Sequence, residues 1–268
     1  MFCFLKKMIR VNNLTKKFDD FIAVDNISFE VKKGTVFAFL GPNGAGKSTT
    51  IKMLVTLLKP SNGQLTINGF NVLEESAKTR DSLGIVFQDY SLDEELTAYE
   101  NMYFHSVIYG VPKKERKDKI DKLLKLVDLS DRKNDLVKEF SGGMKRRLEI
   151  ARGLLHEPNV LFLDEPTLGL DPQTRNHIWD YIKKLNREKA LTVFFTTHYM
   201  EEAERYADKI AIIDHGKIVA EGTLTELKNK TNAHNLEEAF LSLTGYDIRD
   251  ENISSIEKMR MQRQRWKK

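Results

Sequence analysis

Apolar residues change their spacing twice along the chain, and the changes divide it into three stretches. In the first forty residues they fall in short runs rich in Val, Ile and Phe at 9–14, 21–31 and 35–40. Asp19-Asp20 and Lys32-Lys33-Gly34 supply turns between them. Runs of that length and composition predict β-strands. A helix is predicted over 47–58, stopped by Lys59-Pro60-Ser61-Asn62-Gly63, with short strands at 64–69 and 84–87. From about 97 to 155 the spacing becomes helical. Ile120, Leu123, Leu124 and Val127 share one face, and lysines and aspartates fill the other. After Pro158, strands at 160–163, 191–196 and 210–213 alternate with a helix at 173–187, and short helices are predicted at 223–230 and 236–243. Such alternation implies an α/β fold: a mostly parallel sheet covered on both faces, preceded by an antiparallel N-terminal β-subdomain and interrupted by a helical subdomain at about 97–155.

Composition changes this picture little. The 268 residues, 41% of them hydrophobic, suffice for one large domain with an appendage, without disulfides or metals to hold it. The single cysteine, Cys3, has no partner, which fits a reducing compartment. Nothing reaches the roughly eighteen consecutive apolar residues of a membrane helix. The apolar opening at residues 1–5 is too short for a signal-peptide core and is followed, not preceded, by Lys6-Lys7; Met8 is an alternative start. The net charge of +4 comes from interleaved acids and bases, so no nucleic-acid partner is expected. Residues 258–268 are polar and basic and are expected to form a disordered tail.

Chemistry enters at Gly41-Pro42-Asn43-Gly44-Ala45-Gly46-Lys47-Ser48, followed by Thr49, which fits the phosphate-loop pattern G-x-x-x-x-G-K-[ST]. Glycines let the backbone curl so that successive N–H groups face phosphate oxygens, and a helix beginning at Lys47 adds its positive end. Lys47 is expected to reach the β- and γ-phosphates, and Ser48 to offer a hydroxyl to Mg²⁺. The loop follows an apolar strand and opens a helix, as this chemistry requires. A second apolar run, residues 160–163, delivers Asp164 and Glu165 at its carboxyl end, the ligand edge of a parallel sheet. One carboxylate suffices for Mg²⁺, a role expected of Asp164. The second points to hydrolysis, with Glu165 polarising the attacking water.

Ser141-Gly142-Gly143 opens a basic helix, Lys145-Arg146-Arg147-Leu148-Glu149-Ile150-Ala151-Arg152, and makes a second anion-binding turn. Two phosphate-binding loops beside one hydrolytic centre, in this order, strongly resemble the ATP-binding cassette (ABC) family over roughly residues 9–230. The resemblance implies a nucleotide-binding domain at 8–230 and a short C-terminal extension at 231–268. It implies that Ser141, Gly142 and Gly143 of one subunit close on the γ-phosphate held by the other subunit, a second copy or a related chain. It further implies that Phe18 stacks on adenine (hairpin packing is the alternative), that Gln88 senses Mg²⁺ and the water, that Asp171 in Leu168-Gly169-Leu170-Asp171 crosses the dimer interface, and that His198 hydrogen-bonds the γ-phosphate. Met144 stands where many members have glutamine, and Leu168 where many have serine. With residues 140–152, 198–204 and 236–241 these departures resemble the multidrug and daunorubicin-resistance exporter ATPases, whose multi-span permease is a separate ABC-2 chain. That resemblance places the protein on the cytoplasmic face of the membrane. The alternative is a soluble, non-transport ABC-type mechanical ATPase.

Overall fold

A computed structural model describes residues 7–245. The chain opens with a long hairpin, β1 (Lys7–Phe18) and β2 (Phe21–Lys32), turned through Asp19 in the left-handed region. β3 (Val36–Leu40) runs into a loop and α1 (Lys47–Leu54), after which β4 (Asn62–Ile67) and β5 (Phe70–Asn71) return to β1. α2 (Ser76–Asp81) leads to β6 (Leu83–Val86). α3 (Ala98–Ile108), α4 (Lys113–Leu126), two single 3-10 turns and α5 (Gly142–Gly153) follow. The chain then alternates β7 (Val160–Asp164), α6 (Pro172–Lys189), β8 (Thr192–Thr197), α7 (Met200–Tyr206), β9 (Lys209–Asp214) and β10 (Lys217–Gly222), and closes with α8 (Leu224–Thr231) and α9 (Leu236–Thr244).

Two sheets result. One is antiparallel, in the order β2-β1-β4-β5; the other has the order β10-β9-β3-β8-β7-β6 and is parallel except for β10. Period-two alternation sorts the apolar side chains of the parallel strands between two cores. Phe37, Phe39, Phe162, Phe194 and Ile213 face the antiparallel sheet and Ile51, Met53 and Leu54 of α1. Phe29 of β2 lies 5.6 Å from both Phe37 and Phe39 and 5.9 Å from Phe194. On the other face Val36, Ala38, Leu40, Leu161, Leu163, Val193 and Phe195 meet helices α3 to α6. Trp179 of α6 packs edge-on against Phe195 at 4.6 Å and stacks on Tyr206 at 4.8 Å. Each fully buried Phe contributes roughly 1.5–3 kcal/mol, so these layers hold the sheet rigid beneath its loops.

Register then sets the place of the chemistry. Leu40 is level with Thr197, and Asp164 with Thr196. The segments leaving β3, β7 and β8 therefore emerge side by side at one edge, where parallel sheets bind ligands.

Several elements differ from expectation. α1 stops at Leu54, not 58, because Thr56 takes a left-handed conformation (φ 68°) and the N–H groups of Leu57 and Leu58 both turn back to Lys52. The helical stretch is three helices separated by irregular chain. α2, β5, α7 and β10 were not anticipated. The expected basic tail at 258–268 lies outside the described residues. Among those described, no helix is long and apolar enough to cross a membrane.

Candidate active site

The phosphate loop is held by backbone fit. A Cβ on Gly41 would meet the carbonyl oxygen of Ile213 at 2.4 Å; one on Gly46, at φ 107°, would meet that of Ala23 at 2.6 Å. Only glycine allows β2 and β9 so close. Asn43 and Gly44 form the exposed tip, and Pro42, Ser48 and Thr49 are half-buried. Lys47 extends back along the loop, its Nζ donating to the carbonyls of Gly41 (2.8 Å) and Pro42 (3.2 Å) and lying 3.3 Å from Glu165 Oε1. Its side chain is 5% exposed. Burial lowers its pKa, against the attraction of Glu165 and, more weakly, Asp164.

Asp164 ends β7 with its carboxylate between two hydroxyls. Thr196 donates to Oδ1 at 2.6 Å and Ser48 at 3.2 Å. Burial pushes the Asp164 carboxyl up, and the two hydrogen bonds pull it down. Glu165 follows at φ 49°, in the left-handed region that costs a non-glycine residue about 1–2 kcal/mol. Its N–H is fixed to the carbonyl of Thr196 at 3.2 Å and the hydroxyl at 3.0 Å. This twist aims the carboxylate away from the strand, toward Lys47 on one side and His198 on the other. His198 Nδ1 lies 3.2 Å from Glu165 Oε2, at ion-pair distance but out of line for a hydrogen bond. Ser48, Lys47, Asp164, Glu165 and His198 thus converge from β3–α1, β7 and β8.

Gln88 leaves β6 with its carbonyl held by Arg146 at 2.7 Å and is exposed overall. Ser141 caps α5, accepting from Met144 N–H at 3.3 Å, and Gly142 receives the Tyr90 hydroxyl at 3.1 Å. Gly143 packs against Thr174. Asp171 caps α6 by accepting from the N–H (3.0 Å) and hydroxyl (2.7 Å) of Thr174. Those hydrogen bonds hold its carboxyl below the usual range. Phe18 closes the β1–β2 hairpin opposite Phe21, with the Lys16 ammonium 4.8 Å from its ring centre.

The sequence profile of the ABC transporter family matches residues 24–168. The linearmycin resistance ATP-binding protein LnrL of Bacillus subtilis is 46% identical over 220 residues, 82% of this chain and 70% of that protein. The chain belongs to the ABC transporter family. Another ABC relative, the daunorubicin/doxorubicin resistance ATP-binding protein DrrA of Streptomyces peucetius, is 41% identical over 228 residues, 85% of this chain and 69% of its own length. The cassette MJ0796, solved as a dimer in a post-hydrolysis state with ADP and Pi, superposes with a TM-score of 0.74 at 30% identity, over 81% of this chain and 99% of that one.

Within this ABC fold, sequence reasoning missed the groups that hold the predicted ones. Thr196 orients both acids. Glu202, 5% exposed, accepts from the hydroxyls of Thr167, beside the Leu168–Asp171 segment, and of Thr197 (3.1 Å), beside His198. Arg146 and Glu149, read only as part of a basic helix, are 2% and 1% exposed. The only available signal was their i, i+3 spacing beside apolar Leu148 and Ile150.

Proposed function

We propose that this chain is the ATP-hydrolysing subunit of a drug exporter, paired with a second nucleotide-binding subunit and driving a separate membrane-spanning permease of the ABC-2 type. The resistance functions named for LnrL and DrrA favour transport over a soluble mechanical ATPase. The chain then sits on the cytoplasmic face through its permease. It folds as a nucleotide-binding domain over residues 8–230, with 97–155 as the helical subdomain that carries the permease groove.

The observation that carries the reading is the convergence of Lys47, Glu165 and His198 within 3.3 Å contacts, while the polar partners of Ser141–Gly143 lie elsewhere. The first set can hold and hydrolyse a γ-phosphate; the second, at the N-terminus of α5, is an anion cradle for the partner's nucleotide. ATP binds along Gly41–Thr49 with adenine against Phe18. Lys47 exchanges loop carbonyls for β- and γ-phosphate oxygens. Glu165 orients the attacking water and takes its proton, and His198 donates to the γ-phosphate. Closure brings the partner's Ser141, Gly142, Gly143 and Asp171 onto that phosphate and excludes solvent.

The Ser48 hydroxyl and the Asp164 carboxylate face each other across 3.2 Å, a hard oxygen pair suited to Mg²⁺, with Gln88 as a third oxygen. Among the described residues no cluster of three His, Cys, Asp or Glu is fit to hold a metal by itself; a cation held by Ser48, Asp164 and Gln88 would take further oxygen ligands from a bound phosphate. When bound it neutralises charge on the β- and γ-phosphates.

The test is Glu165→Gln in the purified full chain. It should form a nucleotide-bound dimer by size exclusion with turnover down at least a hundredfold. Turnover at the wild-type rate would remove Glu165 from its role, and a strict monomer in saturating ATP, even with its permease, would sink the paired mechanism. Lys47→Ala should lose tight ATP binding in equilibrium dialysis.

A further inference from the structure

One face of α5 grips the segment leaving β6. Arg146 donates through Nη1 to the carbonyl of Phe87 and through Nη2 to that of Gln88 at 2.7 Å. Glu149 accepts from the N–H and hydroxyl of Ser91, at 2.7 and 3.0 Å, and pairs with Arg146 Nη1 at 3.0 Å. Arg152, a turn further on, donates to the Ser91 carbonyl at 2.8 Å and to its hydroxyl. The Tyr90 ring lies 5.0 Å from the Arg146 guanidinium, and its hydroxyl reaches back to Gly142. Phe87, Gln88, Tyr90 and Ser91 are therefore each bonded to one helix.

We propose that Arg146 and Glu149 are positioning residues that make Ser141–Gly143 and Gln88 one rigid body, so that seating a partner's nucleotide on the α5 N-terminus sets where Gln88 stands in its own site. This rests on the reading of Gln88 and of Ser141–Gly143 given above. Three observations carry it. The pair is almost wholly desolvated, and two buried charges persist only when geometry and hydrogen bonds repay their dehydration. Three of their four bonds to this segment go to main-chain atoms, of Phe87, Gln88 and Ser91, and the fourth to the Ser91 hydroxyl, so they fix backbone position and leave the Gln88 side chain free to act. Arg146 lies four residues from Gly142 on the same helix, about 6 Å of rise, too short for the helix to bend. A displacement at Ser141–Gly143 therefore reaches the Gln88 carbonyl through one helical turn and one planar guanidinium.

Arg146→Lys tests it, because a single ammonium cannot span two adjacent carbonyls as the guanidinium fork does. In the purified full chain the expected result is a fall in kcat of at least tenfold, ATP affinity within twofold of wild type, and a raised Mg²⁺ concentration for half-maximal hydrolysis. Gln88→Ala should give the same signature, and the double variant should be no worse than the more severe single one, since both break one linkage. Multiplicative losses, or wild-type kcat in Arg146→Lys beside an impaired Gln88→Ala, overturn the linkage alone. Wild-type turnover in Gln88→Ala overturns the reading of Gln88 and the linkage with it. If Arg146→Lys does not fold, Ser91→Ala, at an exposed position, carries the same cycle with a several-fold expected loss.

Discussion

At the scale of single residues, the hydrolytic geometry is set by a hydroxyl outside the motifs. Thr196 is fully buried; its Oγ1 donates to Asp164 and accepts from the Glu165 N–H, so one atom fixes both the Asp164 carboxylate, proposed above to face Mg²⁺, and the twist of Glu165, proposed to orient the water. Thr196→Val keeps the shape and removes both bonds. A buried donor or acceptor left unpaired costs about 1–3 kcal/mol, and the left-handed Glu165 keeps only the Thr196 carbonyl as its anchor. The expected outcome is a loss of about 1–3 kcal/mol in urea unfolding, with kcat falling about tenfold or more and ATP affinity changed little. Unchanged kcat would show that the Glu165 twist is held by the chain path alone. The acids themselves were legible, because two carboxylates after an apolar run stand in the same chain as a phosphate loop. Thr196 was not: it is an ordinary strand residue until β7 and β8 are paired in register.

At the scale of elements, the junction of α5 and α6 sets the position of Ser141–Gly143. A Cβ on Gly143 would lie 2.6 Å from Thr174 Cγ2, and Thr174 cannot swing away while Asp171 holds both its N–H and its hydroxyl. Gly143→Ala should therefore push the α5 N-terminus off α6. In the Glu165→Gln background, ATP-dependent dimerisation should weaken at least tenfold by analytical ultracentrifugation, with ATP binding by the monomer unaffected. Adding Thr174→Ser, which deletes the clashing methyl, should restore it. Failure of that rescue would show that the contact with the Thr174 methyl is not what displaces α5. Elements with a long periodic pattern or a motif at their end, such as β3, β7, α4 and α6, could be read from the sequence. α2 and α7 could not, being six and seven residues of mixed polarity whose helical state depends on docking. β10 is joined to β9 through His215 and Gly216, both left-handed, a two-residue hairpin turn whose glycine was visible but unread. The early end of α1 was hidden because Val55, Leu57 and Leu58 continue its apolar pattern after the backbone has turned.

At the scale of the whole molecule, the helical segment is joined to the sheet by a stack of rings that makes stability depend on pH. His105 at the end of α3 stacks on Tyr109 at 4.6 Å, Tyr109 on His156 at 4.0 Å, and His156 Nε2 reaches the Leu83 carbonyl of β6 at 2.8 Å. Burial, then the neighbouring Arg152 guanidinium and His156, drive the His105 pKa down to about 4, and burial lowers that of His156 as well. In the unfolded chain both imidazoles titrate near about 6.5. A base whose folded pKa is depressed contributes stability that is whole above the unfolded value and drains as pH falls toward the folded one, because the unfolded chain takes the proton first. The window for His105 therefore runs from about 6.5 down to about 4. Between pH 7 and pH 5 it should remove about 2 kcal/mol, at 1.36 kcal/mol per pH unit. Carboxylates contribute to any such slope, so the comparison is with His105→Phe, which keeps a ring against Tyr109 and has nothing to protonate. Urea unfolding at the two pH values should show wild type losing about 2 kcal/mol more than the variant. Equal losses would place the pH sensitivity elsewhere. Because the same stack borders Arg152, which holds Ser91, the acid-weakened joint is also the one that steadies the Gln88 segment. ATP hydrolysis in wild type should accordingly decline between pH 6.5 and 5 more steeply than in His105→Phe.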